Sequence, residues 1–525
     1  MLREGEPELP SINRSIITPN DALNEIRIIS TEFSDFEMSI APSKGLIYRN
    51  QNPDDIPYTF SDVYQTDDFY PDILAELGEP YILRDFRGQL VSVNPFQYNP
   101  VTGVLRVYNS ITLEITRIGV DTRNILTGQR DSYTGEFGTI YENRFLNFST
   151  LRYTPLEEQG RMIVIAYDAF IDAMMPYVNW KNQKGIPTDI YPISEIGNNS
   201  GSIMNFIQTE YDLDDGLVFV QLVGDAAQVA PNSYSSYASD PAYSLLAGND
   251  PYGDIFVGRF SAETVAQVEN QVEKTIHYER DINITDTWLS SAMGVASDEG
   301  AGIGHGGLSD IQHMNLIRDN LLNYTYDTVD QIYAPSATAS DVTNAINAGR
   351  GFANYTGHGS ATSWGTTGFS NTHVNNLTND YMLPFIVSVA CVNGNFASFT
   401  CFAEAWLRAT NNSTGAPTGA VVFYGSTRNQ LWQPPMSAQQ EITQLLVNEQ
   451  KNTIGGLYYN GSFQMIDDYP STNEGPAEFL CWHIFGDASL QVRSRPPQTL
   501  TVDYNSSIPL GVSSLQVSTD IPEAL

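Results

Sequence analysis

The sequence predicts an α/β protein with a mainly parallel sheet, preceded by a β-rich domain and followed by a short β segment. From Arg161 onward apolar strands alternate with amphipathic helices, whereas residues 1–152 contain only short runs of alternating polarity. Strands that alternate with helices form βαβ units, in which neighbouring strands are parallel. At 525 residues the chain is also too long for one ordinary core, so we expect several domains.

Residues 1–152 are predicted to be mostly β. The runs "EIRIIST", "LVSVNPF" and "VLRVYNSITLEITRI" alternate apolar and polar residues, and Gly, Pro, Asn and Asp separate them. A turn of helix is expected only at "PDILAEL", residues 71–77. The segment ends in a Glu-rich, proline-containing join, "NRFLNFSTLRYTPLEEQG", which is typical of a loop between domains.

The region from residue 153 to 495 carries the α/β pattern. "RMIVIAY" is a buried strand, and the amphipathic helix "DAFIDAMMPYVNWKNQKG" that follows it ends at Gly185. Because the pattern contains more strands than one sheet usually holds, we expect two α/β halves, residues 153–285 and 286–495. Residues 496–525 return to β alternation and are expected to be a truncated β domain.

The composition limits the classes of partner. The chain has 26 Lys and Arg against 61 Asp and Glu, which gives a net charge of −35. Nucleic acid and anionic membranes need a basic face, so neither is expected as a partner. No apolar run approaches the ~18 residues of a membrane span. The excess of acid favours solubility outside a cell, and a second interpretation is that some Asp side chains bind calcium, which prefers oxygen ligands.

The first residues and the cysteines bear on the compartment. "MLREGEPELPSINRS" contains no apolar stretch typical of a secretory signal, and we interpret it as a start downstream of one. We therefore expect a secreted or cell-surface protein. Three cysteines, Cys391, Cys401 and Cys481, do not make a disulfide framework for a chain of this size. Because the count is odd, at least one thiol is free.

One histidine and one cysteine lie on similar glycine-rich corners. His358, in "NYTGHGS", and Cys391, in "VSVACVNGN", each follow a predicted strand. Functional groups of open α/β sheets gather at the carboxyl ends of strands, so these two side chains are expected to face each other. An adjacent imidazole activates a thiol as a nucleophile, and glycines let backbone N–H groups approach a substrate. A histidine that precedes the cysteine is the caspase-like order.

Each of these residues alone has a plainer interpretation. A free cysteine is most often an inert buried thiol, and a histidine in a turn need have no function. A metal site is disfavoured because no second cluster of His and Cys at ligand spacing accompanies the pair. The matching corners favour a catalytic pair, whereas Cys401 and Cys481 are expected in the core.

Longer motifs resemble the gingipain family of secreted cysteine peptidases, in particular its arginine-specific members. These motifs are "NYTGHGSATSWGTTGFS", "LPFIVSVACVNGNF", "CFAEAWLRA", "GNDPYGDIFVGRFSAET", "TIHYERDI" and "FGDASL". The resemblance extends over most of residues 153–495 and implies a caspase-like three-layer catalytic domain of two α/β halves. Residues 1–152 look like the family's β-rich inhibitory propeptide, and residues 496–525 look like the start of its immunoglobulin-like domain.

The resemblance implies roles in catalysis. His358 and Cys391 match the catalytic dyad of the family, and Glu299, in "VASDEGAG", matches the acid that orients the histidine. The backbone N–H groups of Gly359 and Cys391 are the implied oxyanion donors.

It also implies a primary pocket for arginine. Asp310, in "GGLSDIQHMN", matches the carboxylate at the pocket floor, Trp432 matches the aromatic over the arginine side chain, and Met436 lies beside it. A carboxylate can hold a guanidinium through two parallel hydrogen bonds, and an indole adds a cation–π contact. Without the resemblance, Asp310 is better interpreted as a helix N-cap.

Three further features are implied. Tyr153 matches the mature N-terminus, so cleavage after Arg152 would release the propeptide. An inhibitory propeptide must fill the primary pocket, for which Arg49 is the first candidate and Arg84 and Arg87 are the next. Calcium is implied as a structural cofactor. Its candidate ligands lie in "SDPAYSLLAGNDPYGD", where turn carboxylates otherwise make Asx-turns: Asp240, Asp250 and Asp254.

The predicted function is therefore a cysteine endopeptidase zymogen that cleaves after arginine through a thioester and processes itself after Arg152. Its partners would be protein and peptide substrates and its own propeptide. Two alternatives stay open, a transpeptidase or sorting enzyme of the same family and an adhesin-like scaffold without activity. Lysine specificity also stays open.

Overall fold

The computed structural model describes residues 3–127, 132–148, 154–156, 160–213, 216–470, 474–505, 507 and 516–520. The N-terminal part forms short antiparallel sheets and one helix. Its elements are β1 (Ile12–Ile17), β2 (Ala22–Glu37), β3 (Ala75–Leu83), β4 (Phe86–Val93), β5 (Phe96–Asn99), β6 (Val104–Val120), β7 (Ser132–Thr134), α1 (Gly135–Arg144) and β8 (Thr154–Leu156).

Two three-stranded sheets, in the orders β1-β4-β3 and β2-β6-β5, make up most of this part. The helical turn expected at residues 71–77 is wrong, because β3 begins at Ala75, which pairs with Val93 of β4. Pairing across the hairpin outweighs the weak local helix preference of "ILAEL". The β-rich prediction for this region holds apart from α1, whose Phe137, Ile140 and Tyr141 are buried.

The remaining elements follow the predicted alternation. The first group is β9 (Arg161–Ala166), α2 (Ile171–Lys184), β10 (Thr188–Pro192), α3 (Ile193–Ile196), α4 (Ser200–Leu213), β11 (Leu217–Val223), β12 (Ser233–Tyr234), β13 (Tyr237–Ala238), β14 (Phe256–Phe260) and α5 (Val265–Ile276). The second group begins with β15 (Ser291–Ala296), α6 (Asp310–Tyr324), β16 (Thr328–Tyr333), α7 (Ala339–Asn347), β17 (Phe352–Thr356), β18 (Gly359–Ser360), β19 (Ser363–Trp364) and β20 (Phe369–Ser370). It continues with α8 (Asn371–Val374), β21 (Phe385–Val389), α9 (Phe402–Arg408), β22 (Val422–Ser426), α10 (Gln433–Val447), α11 (Ile454–Asp468), α12 (Glu474–Leu480) and β23 (Trp482–Phe485).

Ten strands form one sheet in the order β10-β9-β11-β14-β23-β22-β21-β17-β15-β16. The two expected halves therefore lie side by side in a single sheet, not in two. They join where β14 pairs with β23, and every pairing is parallel except that of β22 with β23. The α/β prediction is confirmed, and the carboxyl ends of β15, β17, β21 and β22 lie next to one another along one edge.

The core has three layers because successive side chains of each strand point to opposite faces of the sheet. Along β9, Met162 and Val164 belong to one apolar cluster, whereas Ile163 and Ile165 belong to another. Along β17, Phe352 belongs to the first cluster and Ala353 to a third. Helices cover both faces, as expected for a sheet whose strands are buried on both sides.

The N-terminal part shares the first of these clusters with the α/β part. The ring of Phe137 stacks on Phe256 of β14 with 5.0 Å between centroids, and Tyr81 stacks on Tyr252 at 4.1 Å. An ion pair of Lys451 with Glu136 is buried at the same boundary. The two parts of the chain therefore share one apolar core.

The C-terminal tail contributes a two-stranded sheet of β24 (Val502–Tyr504) and β25 (Val517–Thr519), whose residues are exposed. The expected immunoglobulin-like start stays a prediction. Within the described residues, each helix is too short or too polar to cross a bilayer.

Candidate active site

The turns that carry His358 and Cys391 meet at the edge of the sheet. β17 and β21 are neighbours, with Thr356 aligned to Val389, and the N–H of Gly357 donates to the Val389 carbonyl at 3.2 Å. A Cβ atom on Gly359 would lie 2.7 Å from the Cys391 carbonyl oxygen and 3.0 Å from its nitrogen. Only glycine permits this approach, so the glycine-rich corner is what lets the two turns pack together.

Glu299 lies against the imidazole. It follows β15, the other neighbour of β17, and its Oε2 is 2.5 Å from His358 Nε2. Both side chains are about one-third exposed, at 35% for the histidine and 38% for the glutamate. A carboxylate at Nε2 orients the ring and stabilises its protonated form. Nδ1 is then the ring nitrogen available for proton transfer.

Cys391 is buried, with 1% of its surface exposed. Burial raises the pKa of its thiol to about 11, although a backbone hydrogen bond from Gln430 and the charge of Arg49 act in the opposite direction. The thiol is therefore protonated at neutral pH in this state of the chain. The next residue, Val392, has φ of 51°, a conformation that β-branched residues rarely adopt, and its N–H donates to the Arg428 carbonyl.

A buried carboxylate lies close to this edge of the sheet. Asp310 is the first residue of α6 and is fully buried, and Ser297 Oγ donates to its Oδ2 at 2.7 Å. The N-cap of α6 is Ser309, which exchanges hydrogen bonds with Gln312, so the plainer interpretation of Asp310 as the cap is wrong. The N–H of Asp310 donates to the carbonyl of Glu299 at 3.1 Å. One loop thus positions both the buried carboxylate and the partner of the histidine.

Trp432 and Met436 flank this carboxylate and are buried. A glycine-rich loop, residues 300–307, packs on both of them: a Cβ on Gly300 would lie 2.6 Å from the indole, and one on Gly304 would lie 2.7 Å from Met436 Cε. The edge of the His358 ring approaches the indole with 6.1 Å between centroids. The predicted pocket residues and the predicted dyad therefore form one continuous site.

Arg49 of the N-terminal part fills the pocket. Its Nη1 lies 3.0 Å from Asp310 Oδ2, its Nη2 lies 3.2 Å from Oδ1, and its Cζ is 4.4 Å from the centre of the Trp432 ring. Its Nη2 also donates to the Trp432 carbonyl at 3.3 Å. Both members of this ion pair have no exposed side-chain surface. These are the two-bond and cation–π contacts expected of a bound arginine side chain.

The backbone around Arg49 pairs with the α/β part as an antiparallel strand. The N–H of Arg49 donates to the Gln430 carbonyl at 2.8 Å, and the N–H of Trp432 donates to the Ile47 carbonyl at 3.0 Å. Directly after this pairing the chain turns back, because the N–H of Gln51 donates to the Tyr48 carbonyl at 2.9 Å. The side chain of Gln51 also accepts from the N–H of Tyr48 at 3.1 Å.

The other two candidate arginines lie elsewhere. Arg84, between β3 and β4, is buried against the α/β part, where it donates to the carbonyls of Leu217 and Asp254. Arg87 donates only within the N-terminal part, to carbonyls that include those of Ala22 and Asn124. Of the three candidates, Arg49 is the one that contacts Asp310.

The aspartates expected to bind calcium are engaged by protein donors. Both oxygens of Asp240 accept from Arg259, at 2.6 and 2.7 Å. Asp250 and Asp254 accept backbone N–H groups, including those of Ile82 and Arg84, and burial raises their pKa values to about 8 and about 7. Across the described residues, His, Cys, Asp and Glu form no group of three that would hold a metal ion.

Asp240, Asp250 and Asp254 therefore do not fit a shared calcium site as they stand, and calcium stays a prediction. Arg152 and Tyr153, the predicted cleavage site, lie outside the described residues. Cys401 and Cys481 are buried, as expected.

Gln430 and Ser297 contact the site but were not predicted from the sequence. Gln430 Oε1 accepts from the N–H of Ala390 at 2.8 Å and so supports the turn that carries Cys391. Gln430 follows β22, which pairs in parallel with β21. The rule that functional groups follow parallel strands would have found it, had it been applied to "GAVVFYGSTRNQ" as well.

A buried thiol, an imidazole held by a carboxylate and an arginine-filled pocket are together the features of a cysteine peptidase occupied by an inhibitory segment. The chain belongs to peptidase family C25, whose description "Peptidase family C25" matches residues 155–493, and the C25 propeptide description matches residues 1–158. It is thus a cysteine peptidase zymogen.

Several gingipains of Porphyromonas gingivalis are similar to this chain. Gingipain R2 is 39% identical over 99% of this chain and 72% of its own length, and gingipain R1 is 40% identical over 99% of this chain and 53% of its own. A Lys-gingipain is 24% identical over 98% of this chain.

Two solved structures match at a TM-score of 0.67. One, titled as the Arg-specific cysteine proteinase gingipain R, is 40% identical and covers 70% of this chain and 87% of its own. The other, a complex of the pro- and mature domains of the same protease, is 39% identical and covers 69% of this chain and 86% of its own.

Proposed function

We propose that this chain is the zymogen of a secreted cysteine endopeptidase that cleaves after arginine. The observation that carries the proposal is the position of Arg49, whose guanidinium lies on Asp310 and under the Trp432 ring within a site that also holds His358 and Cys391. A propeptide residue held in this way occupies the place of the arginine side chain of a substrate.

Arginine is favoured over lysine by the geometry of the pocket. Two nitrogens of Arg49 contact the two oxygens of Asp310, and the planar group lies against an indole. A lysine ammonium is a point charge that makes neither the forked contact nor the stacking. The identity of 39–40% to gingipains R, against 24% to a Lys-gingipain, supports the same preference.

The proposed cycle begins when the Cys391 thiolate attacks the carbonyl carbon of the substrate arginine. The N–H groups of Gly359 and Cys391 would stabilise the oxyanion. His358, oriented by Glu299, protonates the leaving amine as the C–N bond breaks, which leaves a thioester. Water, deprotonated by the same imidazole, then attacks the thioester and releases the new carboxylate and the thiol.

Latency follows from the same contacts. While Arg49 fills the pocket, a substrate arginine cannot enter, and the thiol is in its less nucleophilic protonated form because burial raises its pKa. We propose that cleavage after Arg152, by a second copy of the enzyme or by the same copy, starts the release of residues 1–152.

The test pairs intact-mass measurement with turnover of matched fluorogenic peptides that end in Arg or Lys. The parent chain should lose the mass of residues 1–152 and then hydrolyse the Arg peptide selectively. Cys391→Ala should keep its full mass and show no turnover, whereas Cys481→Ala, a control at another buried thiol, should behave as the parent.

Two outcomes would contradict the proposal. A chain that stays intact and inactive on both peptides, even after limited trypsin treatment, would indicate a scaffold without activity. Preferential capture of the acyl group by an added amine, at the expense of hydrolysis, would indicate a transpeptidase.

A further inference from the structure

We propose that Arg428 determines the preference of this peptidase for the residue preceding the arginine, and that it selects tyrosine there. This inference rests on the proposed function and extends it to the second substrate position. It starts from Tyr48, the residue before Arg49 in the bound propeptide segment.

The register of the segment assigns Tyr48 to that position. The backbone bonds of Arg49 to Gln430 and of Trp432 to Ile47 flank an antiparallel bridge between Tyr48 and Leu431. Side chains alternate along a strand, so Tyr48 points away from the pocket that holds Arg49. A substrate that places its own arginine in the pocket with the same pairing would place its preceding side chain where Tyr48 lies.

Tyr48 meets one charged group there. Arg428 Nη2 donates to the phenolic oxygen at 3.0 Å, and Arg428 Cζ lies 5.5 Å from the ring centre. The same Nη2 lies 3.0 Å from Glu474 Oε2, so the guanidinium is held in place by a carboxylate. The backbone of Arg428 is fixed as well, since its carbonyl accepts from the N–H of Val392, next to Cys391.

The charges around Arg428 favour a neutral side chain that offers a hydrogen-bond acceptor. Glu474 balances the guanidinium, and Glu478, which is buried and accepts from the N–H of Leu431, has its pKa raised to about 8 by burial and is neutral at pH 7. An acidic side chain at this position would face Glu474, and a basic one would face Arg428. Tyrosine supplies the acceptor and a ring for the cation without adding charge.

The experiment uses the processed chain and the peptides Ile-Xaa-Arg with a fluorogenic amide, where Xaa is Tyr, Phe, Leu or Glu. Because a hydrogen bond to a charged group contributes about 1.5–3 kcal/mol, kcat/KM for Tyr should exceed that for Phe by about tenfold. Glu should give the lowest value of the four.

Two variants assign the preference to the named residues. Arg428→Met should bring the Tyr to Phe ratio close to one while the Leu peptide is hydrolysed as before, and Glu474→Gln should raise the relative rate of the Glu peptide severalfold. Arg280→Met, at an arginine exposed elsewhere on the surface, is the matched control and should leave all ratios unchanged. Glu474→Gln still decides the matter if the Arg428 variant does not fold.

Equal rates for Tyr and Phe in the parent, or a ratio that survives Arg428→Met, would overturn the inference and leave the proposed function intact. Absence of hydrolysis of all four peptides would instead refute the proposed function, and this inference with it.

Discussion

The N-terminal part contacts the α/β part in two regions of opposite character. At the pocket, a short extended segment is held by an ion pair, a cation–π contact and backbone hydrogen bonds around Arg49. At the shared core, rings such as Phe137 and Tyr81 stack on Phe256 and Tyr252. The first region resembles a bound ligand, whereas the second resembles the interior of a folded domain.

This difference separates blocking from binding. The pocket segment covers the residues that a substrate needs, but its contacts are ones that a substrate arginine can replace. The aromatic region covers none of them, and it provides the non-directional apolar burial that usually dominates association. The two functions can therefore be removed independently.

The largest effect is expected from Arg49→Ala. The change leaves Asp310 buried without its partner, a loss that costs about 3–5 kcal/mol, so the pocket segment should no longer compete with substrate. The unprocessed variant should hydrolyse Arg peptides at least about a hundredfold faster than the unprocessed parent. Initial rates should be measured while intact mass confirms that the chain is uncut.

Arg106→Ala is the matched control for that experiment, because Arg106 pairs with Asp35 away from the pocket. Latency should be unchanged in this variant. If Arg49→Ala stays as inactive as the parent, Arg49 is not what blocks the site.

Phe137→Leu should show the opposite behaviour. Loss of the ring stacking on Phe256 should destabilise the joint core by about 1–1.5 kcal/mol and lower the midpoint of thermal unfolding. The pocket contacts are untouched, so the unprocessed chain should stay latent. Activity in uncut Phe137→Leu would show that the two regions are not separable.

Raising the pH should loosen the pocket region selectively. Burial of Cys391 raises its pKa from about 9 to about 11, so the protonated thiol is the form that the closed site favours. The stability of the closed state is therefore constant below about pH 9 and falls as the pH rises toward 11. Alkylation of Cys391, followed by peptide mapping, should accelerate over this range.

Cys481 provides the internal control in the same sample, because it is buried within the α/β part and not by the pocket segment. It should stay unlabelled while Cys391 reacts. Parallel labelling of both cysteines would mean that the whole fold opens.

The smallest effect is expected from Ser309→Ala. Removal of the N-cap of α6 should destabilise the fold by about 1 kcal/mol, measured by chemical denaturation. Since Ser297 and the backbone continue to hold Asp310, kcat/KM for the Arg peptide should change less than twofold. A large loss would mean that the cap positions the pocket carboxylate directly.

Sequence reasoning located the α/β alternation and the strand-end corners because both depend on local patterns. The joining of all ten strands into one sheet depends on the pairing of β14 with β23, whose residues lie more than two hundred positions apart, and no local pattern reports it. The helical turn at residues 71–77 failed for the same reason, since the partner strand decided the structure.

The candidate site divides in the same way. His358 and Cys391 could be paired from their glycine-rich turns, but Asp310 and Arg49 were assigned only through the family resemblance. Composition says nothing about which of several propeptide arginines reaches a carboxylate 261 residues away. Gln430 and Arg428 were missed because their contacts are made by backbone atoms and by a neighbouring segment of the chain.

The turn after Arg49 bears on the fate of the bond between Arg49 and Asn50. If Cys391 attacked there, the new amino end at Asn50 would stay close to the thioester, because Gln51 is bonded to both backbone groups of Tyr48. A tethered amine has a high effective molarity, so it would outcompete water and reform the peptide bond. The segment would then persist in the site as a substrate whose cleavage reverses faster than it completes.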